Sequence, residues 1–399
     1  MFGKKRIYLD FASATPTDPR VARAVFNAMR ETYGNPSAAH AEGRRAYDLL
    51  EQSREAVARS FAIKPEELVF TSGGTEANNL AIRGLVEGLR TRGARYAELH
   101  IVTSSIEHSS VLETLHLLEK EGVVVTYVSP DKDGIVRPQR ISEALKPNTA
   151  LVTLAHVNSE IGTIQPIAEI ATALASHESV LSRFAPETSF PVLHADAAQS
   201  PLYCEASPHI LRASLVSYDA QKLMGPKGVG VLYRDFSIPL SPLYGGGSQE
   251  RGIRPGTENA PTIAGAALAF ALAKEGRKAR AIQVSAVRDY LVELVEKKVP
   301  SAELMGSSVH RIANNAHFVI PGIDGDYLAV LMDKEGIAVS PRSACIGVGA
   351  GASRVVLSIT GDEQKAKSTI RFSLGPFTTK SDVEKATDAL TRSLAVGVQ

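Results

Sequence analysis

The sequence predicts an α/β protein with a large domain, built on a mainly parallel sheet flanked by helices, and a smaller α+β domain after it. Two observations predict this fold class. Short apolar, often β-branched runs alternate with helix-like segments up to about residue 255, which is typical of a parallel sheet covered on both faces. From residue 258 the order changes to one long helical region followed by short strands and a final amphipathic helix.

Seven apolar runs of the large domain are predicted as strands, at residues 68–70, 100–105, 123–129, 150–157, 190–196, 214–219 and 229–234. Helical patterns begin near residues 75, 109, 141 and 166. In the smaller domain we expect strands at 317–321, 336–340 and 369–374 and helices at 258–299, 327–335 and 381–394. We place the large domain at 15–257 and the small domain at 258–399, with residues 1–14 packing on the latter.

Composition excludes several classes of protein. The chain has 399 residues, with 44 Lys and Arg against 43 Asp and Glu, a net charge of +1, so no excess of basic residues favours direct nucleic-acid binding. No apolar segment is long enough to span a bilayer, and the first residues lack the apolar core of a signal peptide. Two cysteines, Cys204 and Cys345, do not make a disulfide framework, so we expect a cytoplasmic protein with no membrane contact.

Two short segments at predicted strand ends are candidates for binding charged groups. In FTSGGTEANNL, Gly74 and Thr75 open a helix directly after a strand, where backbone N–H groups and the helix dipole attract an anion. The same segment also fits a plain turn and helix cap. In HADAAQS, Asp196 ends an apolar strand, where it can hold a cation or a protonated heterocycle or can equally well cap a turn.

A lysine between two predicted strands is a third candidate for the site. Lys222, in SLVSYDAQKLMGPKGVGVLY, is a candidate nucleophile because burial favours the neutral amine, although most lysines in loops are solvated. We take Lys227, in the following turn, as solvated. An anion cradle, an aspartate for a ring nitrogen and a lysine for a Schiff base are what a pyridoxal phosphate (PLP) site requires.

Many ordered segments of the chain resemble fold-type I PLP enzymes of the class V aminotransferase group, and more narrowly cysteine desulfurases. They are YLDFASATPTDPRV, GNPSAAHAEGRRA, FTSGGTEANNLAI, EHSSVL, HVNSEIGTIQPI, HADAAQS, QKLMGPKGVGVLY, GGSQERGIRPGTEN, SACIG and STIRFSLGPFTT. The resemblance covers nearly the whole length. It implies an enzyme that converts L-cysteine to L-alanine, keeps the sulfur as a persulfide and donates it to an acceptor protein of iron–sulfur cluster assembly or tRNA thiolation.

The resemblance also implies roles for individual residues around the cofactor. Lys222 would form the Schiff base, and Asp196 would pair with the pyridine nitrogen. His108 would stack on the ring and move protons, although a histidine at this place also fits a helix cap. The remaining contacts would come from Gly74 and Thr75 to the phosphate, from Asn158, Gln199 and Gln221 to the cofactor, and from Thr257 to the phosphate in the neighbouring subunit of a homodimer.

Two further residues would handle the substrate. Arg371, between the apolar residues Ile370 and Phe372, would bind the substrate carboxylate with Asn158 nearby, because a guanidinium matches a carboxylate in two hydrogen bonds; a surface cation on an edge strand is the alternative. Cys345, in the Gly-rich segment 341–352 that we expect to be mobile, would attack the substrate sulfur, with Arg342 lowering its pKa.

The chain departs from the family pattern at one place. Where the family reads Ser-Gly-His-Lys, this sequence has Asp219, Ala220, Gln221 and Lys222. A carboxylate beside a phosphate is repelled unless it is protonated, turned away or paired with a cation. Two other functions therefore remain open beside cysteine desulfurase: a selenocysteine lyase or other β-eliminating lyase, and a scaffold protein that binds the cofactor poorly.

Overall fold

The computed structural model describes residues 6–175, 177, 181–185, 191–342 and 351–397. Within these ranges the strands are β1 (Ile7–Tyr8), β2 (Leu68–Thr71), β3 (His100–Ser104), β4 (Val124–Val128), β5 (Thr149–Ala155), β6 (Val192–Asp196), β7 (Leu215–Asp219), β8 (Gly230–Arg234), β9 (Glu303–Leu304), β10 (Asn315–Val319), β11 (Ile337–Ala338) and β12 (Thr369–Ser373).

The helices of the same ranges are α1 (Pro19–Glu31), α2 (Ala41–Phe61), α3 (Gly74–Thr91), α4 (Ser109–Lys120), α5 (Pro138–Ala144), α6 (Ile167–Leu174), α7 (Leu181–Phe184), α8 (Pro208–Leu211), α9 (Ala260–Lys298), α10 (Gly325–Lys334), α11 (Arg354–Thr360), α12 (Glu363–Lys367) and α13 (Lys380–Gly397). Short 3₁₀ turns lie at Pro65–Glu67, Tyr96–Glu98, Ala220–Leu223 and Gln249–Gly252. The part of the chain that is described holds no helix both long and apolar enough to cross a membrane.

The central sheet has the strand order β2-β8-β7-β6-β5-β3-β4. Strand β8 runs antiparallel to both of its neighbours, and every other adjacent pair is parallel. Strands β5, β6 and β7 are buried along their whole length, which explains why they appear in the sequence as continuous apolar runs rather than as alternating ones. The predicted parallel sheet is therefore confirmed, and its carboxyl ends lie along one edge.

A second, antiparallel sheet has the order β12-β10-β9, and helices α10 and α13 pack beside it. The long helix α9 packs against α1 and α2. The predicted strand at 336–340 is shorter than expected: β11 has two residues and pairs with β1 in a separate parallel ribbon, Ile7 opposite Ile337. The separation into domains at residue 257 stays a prediction.

The edge strand β2 is covered by a buried ion pair. Glu250 Oε2 accepts a hydrogen bond from the backbone N–H of Phe70 (2.8 Å), and both carboxylate oxygens accept bonds from Arg54, at 2.6 and 3.0 Å. Glu250 and Arg251 both have left-handed backbone angles, a costly conformation for residues with side chains. The ion pair thus holds a strained turn against β2, at the start of the segment that leads to Thr257.

Candidate active site

Nearly all predicted site residues lie around one cleft at the carboxyl ends of the parallel strands. Those that line it are Gly74, Thr75, His108, Asn158, Asp196, Gln199, Gln221, Lys222 and Arg371. They follow β2, β3, β5, β6 and β7, and β12 of the second sheet contributes Arg371. Thr257 is not one of the described residues that line this cleft. Cys345 and the segment 343–350 around it lie outside the described residues.

Lys222 lies in the 3₁₀ turn between β7 and β8 and enters the cleft. Its Nζ donates hydrogen bonds to the backbone carbonyls of Ala12, at 2.8 Å, and Ser13, at 2.6 Å. The side chain is half-buried, whereas Lys227 in the next turn is exposed, as the sequence predicts. The amine is therefore held inside the cleft by neutral acceptors.

Asp196, at the end of β6, is buried and has a fixed orientation. Its Oδ2 accepts a hydrogen bond from Asn78 Nδ2 (2.7 Å), and its Oδ1 accepts one from the backbone N–H of Ala198 (3.0 Å). It is thus a turn cap and a cleft residue at once. Asn78 also donates to Ser110 Oγ, and its own Oδ1 has no hydrogen-bond partner among the described residues.

His108 caps helix α4 and also lines the cleft, so the predicted cap is present and does not remove the residue from the site. Its Nδ1 accepts a hydrogen bond from the backbone N–H of Ser110 (3.1 Å) and lies 2.8 Å from the hydroxyl of the same residue. A neutral imidazole that accepts at Nδ1 carries its proton on Nε2. The cap therefore fixes the ring and places the proton on the other nitrogen.

Glu107 is a cleft residue that sequence reasoning missed. It is buried, and it accepts hydrogen bonds from Ser104 Oγ (2.5 Å) and from the backbone N–H of Ala155 (2.6 Å). Burial raises the pKa of this carboxyl group to about 8, and the negative charge of Asp196 adds to the effect. The available signal was its position, one residue before His108 and three residues after the end of the buried strand β3.

Asn158 joins the loops that follow β3 and β5. Its Nδ2 donates to the carbonyl of Ile106 (2.8 Å), and its Oδ1 accepts from the N–H groups of Glu160 and Ile161 (3.0 Å each). Gln199 donates from Nε2 to the carbonyl of Ala12 (2.9 Å). Both amides are therefore oriented by the backbone while they face the cleft.

Arg371 is buried, with 1 % of its surface exposed, so the alternative of a surface cation is wrong. Nη2 donates to Asp10 Oδ1 (2.9 Å) and Ser13 Oγ (2.7 Å), and Nη1 donates to the carbonyl of Ser159 (2.8 Å). Nε has no partner among the described residues although it is buried. An unpaired buried N–H is costly, so this guanidinium is oriented and still has a donor for a ligand.

The segment 10–13 is the second feature that sequence reasoning missed. It contacts Arg371 through Asp10 and Ser13, and it contacts Lys222 and Gln199 through backbone carbonyls. It reaches the cleft from β1, and the N–H of Phe11 bonds to the carbonyl of Ser373 on β12. The sequence offered the motif YLDFASATP but no residue-level reason to place it in the site.

The start of α3 forms the end of the cleft where the sequence predicts that an anion binds. Gly73, which precedes the helix, has φ 153°, a conformation that is essentially restricted to glycine. Any Cβ on Gly230 of β8 would lie 2.4 Å from the backbone of Gly73, so this turn needs a glycine opposite it. The first N–H groups of α3 have no carbonyl acceptor within the helix and face the cleft at Gly74 and Thr75.

Of the two cysteines, only Cys204 lies among the described residues. Cys345 lies outside the described residues. Arg342, the last described residue before the segment 343–350, donates a hydrogen bond to Asp326 (2.8 Å). Cys204 packs against the core, and burial raises the pKa of its thiol to about 11. A thiol with such a pKa is a poor nucleophile near neutral pH, so Cys204 fits a structural role.

Comparison with known proteins gives a consistent result over nearly the whole chain. The family model described as aminotransferase class-V matches residues 7–386. A protein named cysteine desulfurase IscS from Dictyoglomus turgidum is 38 % identical over 389 residues, covering 98 % of this chain and 94 % of that protein. One of the same name from Psychromonas ingrahamii is 37 % identical over 396 residues, covering 98 % and 93 %.

Solved structures agree with these relatives. A NifS-like protein superposes with a TM-score of 0.87 at 31 % identity, covering 98 % of this chain and all of that one. A structure titled SspA in complex with cysteine gives 0.76 at 31 % identity, covering 94 % and 100 %. These matches extend over nearly the whole chain, including the strands of the central sheet and the residues of the cleft at their ends. The chain therefore belongs to the class-V aminotransferase family.

Proposed function

We propose that this protein is a PLP-dependent cysteine desulfurase that converts L-cysteine to L-alanine and transfers the sulfur to an acceptor protein. One observation carries the proposal: a single cleft contains an internal lysine, a buried carboxylate and an arginine with an unpaired donor, on Lys222, Asp196 and Arg371. The names of the relatives support the same activity.

The cleft fits PLP by the chemistry of its donors and acceptors. Asp196 offers a buried carboxylate to a protonated pyridine nitrogen, and Asn78 Oδ1 is a buried acceptor without a partner among the described residues. Lys222 supplies the amine, and Gly74 and Thr75 supply N–H groups for the phosphate. When bound, the cofactor supplies an electron sink that stabilises negative charge on the substrate carbons.

The chain's own residues orient the substrate and move its protons. Arg371 presents Nε–H to the α-carboxylate while Asp10, Ser13 and the carbonyl of Ser159 hold the rest of its guanidinium. His108 is positioned by its cap so that the Nε2 proton is the one available for transfer. Lys222, whose Nζ lies in the same cleft, would be the second proton carrier.

Sulfur transfer requires a nucleophile, and we assign that role to Cys345. Its thiolate attacks the substrate sulfur, the Cβ–S bond breaks, and the electron pair of that bond stays on carbon, which takes up a proton to give alanine. The sulfur remains on the enzyme as a persulfide. The raised pKa of Cys204 argues against the other thiol.

The proposal extends to assembly and location. We propose a homodimer in which Thr257 reaches the cofactor phosphate of the neighbouring subunit, because Thr257 does not line its own cleft among the described residues. The sulfur acceptor is a scaffold protein of iron–sulfur cluster assembly or a tRNA-thiolation enzyme. A cytoplasmic location is part of the proposal, since a reactive thiolate requires a reducing compartment.

The test uses the full chain loaded with PLP. We expect L-cysteine to yield equal amounts of alanine and protein-bound persulfide, and we expect Cys345→Ser to bind cofactor and cysteine but to make no persulfide. Cys204→Ser is the matched control and keeps the activity. Alanine formation that is unchanged in Cys345→Ser would contradict the nucleophile, and turnover of selenocysteine but not of cysteine would contradict the substrate.

A further inference from the structure

The carboxylate of Asp219 lies at the anion-binding end of the cleft. Asp219 ends β7, is 7 % exposed and lines the cavity together with Gly74 and Thr75. A Cβ built on Gly74 would be 3.3 Å from both Cβ and Oδ2 of Asp219. The carboxylate therefore packs on the first residue of α3, beside the N–H groups that an anionic ligand would use.

Gln221 donates two hydrogen bonds to this carboxylate. Its side-chain Nε2 donates to Asp219 Oδ2 (2.9 Å), and its backbone N–H donates to Oδ1 (3.2 Å). These two bonds keep the carboxylate in place and prevent it from turning away from the helix end. They also use a donor that would otherwise point to an incoming phosphate. Asp219 and Gln221 thus occupy the positions where the family pattern has the serine and histidine of Ser-Gly-His-Lys.

Other charged groups lie on the elements around Asp219. On its own 3₁₀ turn, Lys222 directs two hydrogen bonds to the carbonyls of Ala12 and Ser13. On α3, the charged residue of the first turn is the acid Glu76, which is paired with Arg254. On β8, the residue opposite is Gly230. The other ionisable residues lining the cleft are Glu107, His108, Glu160, Asp196, Arg354 and Arg371.

Resting on the PLP site proposed above, we propose that Asp219 makes binding of the cofactor phosphate proton-linked: the phosphate end binds together with one proton taken from solvent, shared between phosphate and Asp219. A fully ionised phosphate carries two negative charges and has a second pKa of about 6. With the Asp219 carboxylate it would place three negative charges at one helix end. Uptake of one proton allows a hydrogen bond between the two groups in place of repulsion.

The test measures dissociation constants of PLP and of pyridoxal, which lacks the phosphate, for the full chain freed of cofactor, between pH 6 and pH 8.5. We expect PLP to bind about tenfold more weakly for each pH unit above about 6.5, as one-proton linkage requires. Asp219→Asn abolishes that slope and binds PLP about 10- to 100-fold more tightly at pH 8. Pyridoxal shows no difference between the two proteins, which removes the titration of Lys222 from the comparison.

Two controls keep the result interpretable. Asp219→Ser repeats the measurement in case the asparagine variant folds poorly. Asp235→Asn removes another aspartate that caps a turn, through Ser237, outside the cleft, and it keeps the normal slope. Calorimetry in buffers of different ionisation enthalpy counts the protons directly. One more proton taken up per PLP at pH 8 by the normal protein than by Asp219→Asn supports the inference, and equal numbers in the two proteins overturn it.

The outcomes separate this inference from the proposed function. If PLP binds with the same pH dependence in the normal and Asp219→Asn proteins, the proton linkage is wrong and the PLP site stands. If neither PLP nor pyridoxal binds to any variant, the proposed PLP site itself fails, and the inference fails with it.

Discussion

Replacing Arg371 with lysine tests the substrate site while keeping its positive charge. The arginine is anchored at three points, by Asp10, Ser13 and the carbonyl of Ser159, and it has an unpaired buried Nε. An ammonium group cannot make those three bonds and also present a donor in the direction of Nε. We expect the loss of at least one charge-assisted hydrogen bond to the substrate carboxylate, about 1.5–3 kcal/mol.

That free energy corresponds to a KM for L-cysteine about 10- to 150-fold higher, with little change in kcat, because the carboxylate is bound alike in the ground state and the transition state. The assay is steady-state alanine formation, with the absorption of bound cofactor recorded to show that the site is intact. Arg54→Lys is the matched control: it also replaces a buried, ion-paired arginine, but away from the cleft. A KM within threefold of normal for Arg371→Lys would refute the carboxylate assignment.

Three further predictions follow from other parts of the structure. Lys222→Ala loses the visible absorption band of lysine-linked cofactor, and an unchanged band would move the Schiff base to another amine. Glu250→Ala lowers the free energy of unfolding by about 3–5 kcal/mol, because it removes the buried partner of the Arg54 guanidinium, leaves it only the partly exposed Glu51, and deprives the Phe70 N–H of its acceptor. Removal of the exposed acid Glu55 costs less than about 1 kcal/mol; equal effects in urea unfolding would show that burial is not decisive. Burial lowers the pKa of His194 to about 4, below its usual value of about 6.5, so the unfolded chain binds more protons and stability falls as the pH drops from 6.5 to 4. His194→Gln reduces that loss of stability, and an identical pH dependence in the variant would contradict the assignment.

The sequence predicted the parallel sheet well, because buried strands leave a direct signal. The runs at 150–157 and 214–219 are continuous apolar stretches bounded by turn residues. The structure places β7 within the second run and β5 one residue before the start of the first, at Thr149–Ala155. The strand predicted at 336–340 is only the two-residue β11 in the structure. Its partner β1 lies more than 300 residues away in the chain, and a two-residue ribbon has no periodicity to detect.

Helices α1 and α2 were not predicted from the sequence. The sequence interpretation assigned no element to residues 19–61, where both lie. Their apolar residues are widely spaced among charged ones, and their burial comes from packing against α9. The tertiary partner, rather than the local pattern, stabilises such helices.

The site was predicted mainly from resemblance, and the structure shows why local reasoning stopped short. Asp196 and Lys222 carry a local signal, since each follows a buried strand at the sheet edge. Asp10 carries no such signal, because it reaches Arg371 across 361 positions of the chain. Glu107 also comes after a buried strand, but it resembles an ordinary loop acid until its own burial is known. Contacts of this kind depend on how the two sheets meet.

The most direct test of the central claim is the visible spectrum of the purified protein with PLP, recorded before and after addition of L-cysteine, together with an assay for alanine. We predict a yellow protein whose absorption band shifts on addition of L-cysteine, with alanine formed and one persulfide per subunit. A protein that stays colourless with PLP at pH 6.5, or one that binds PLP but forms no alanine from L-cysteine, would contradict the assignment as a cysteine desulfurase.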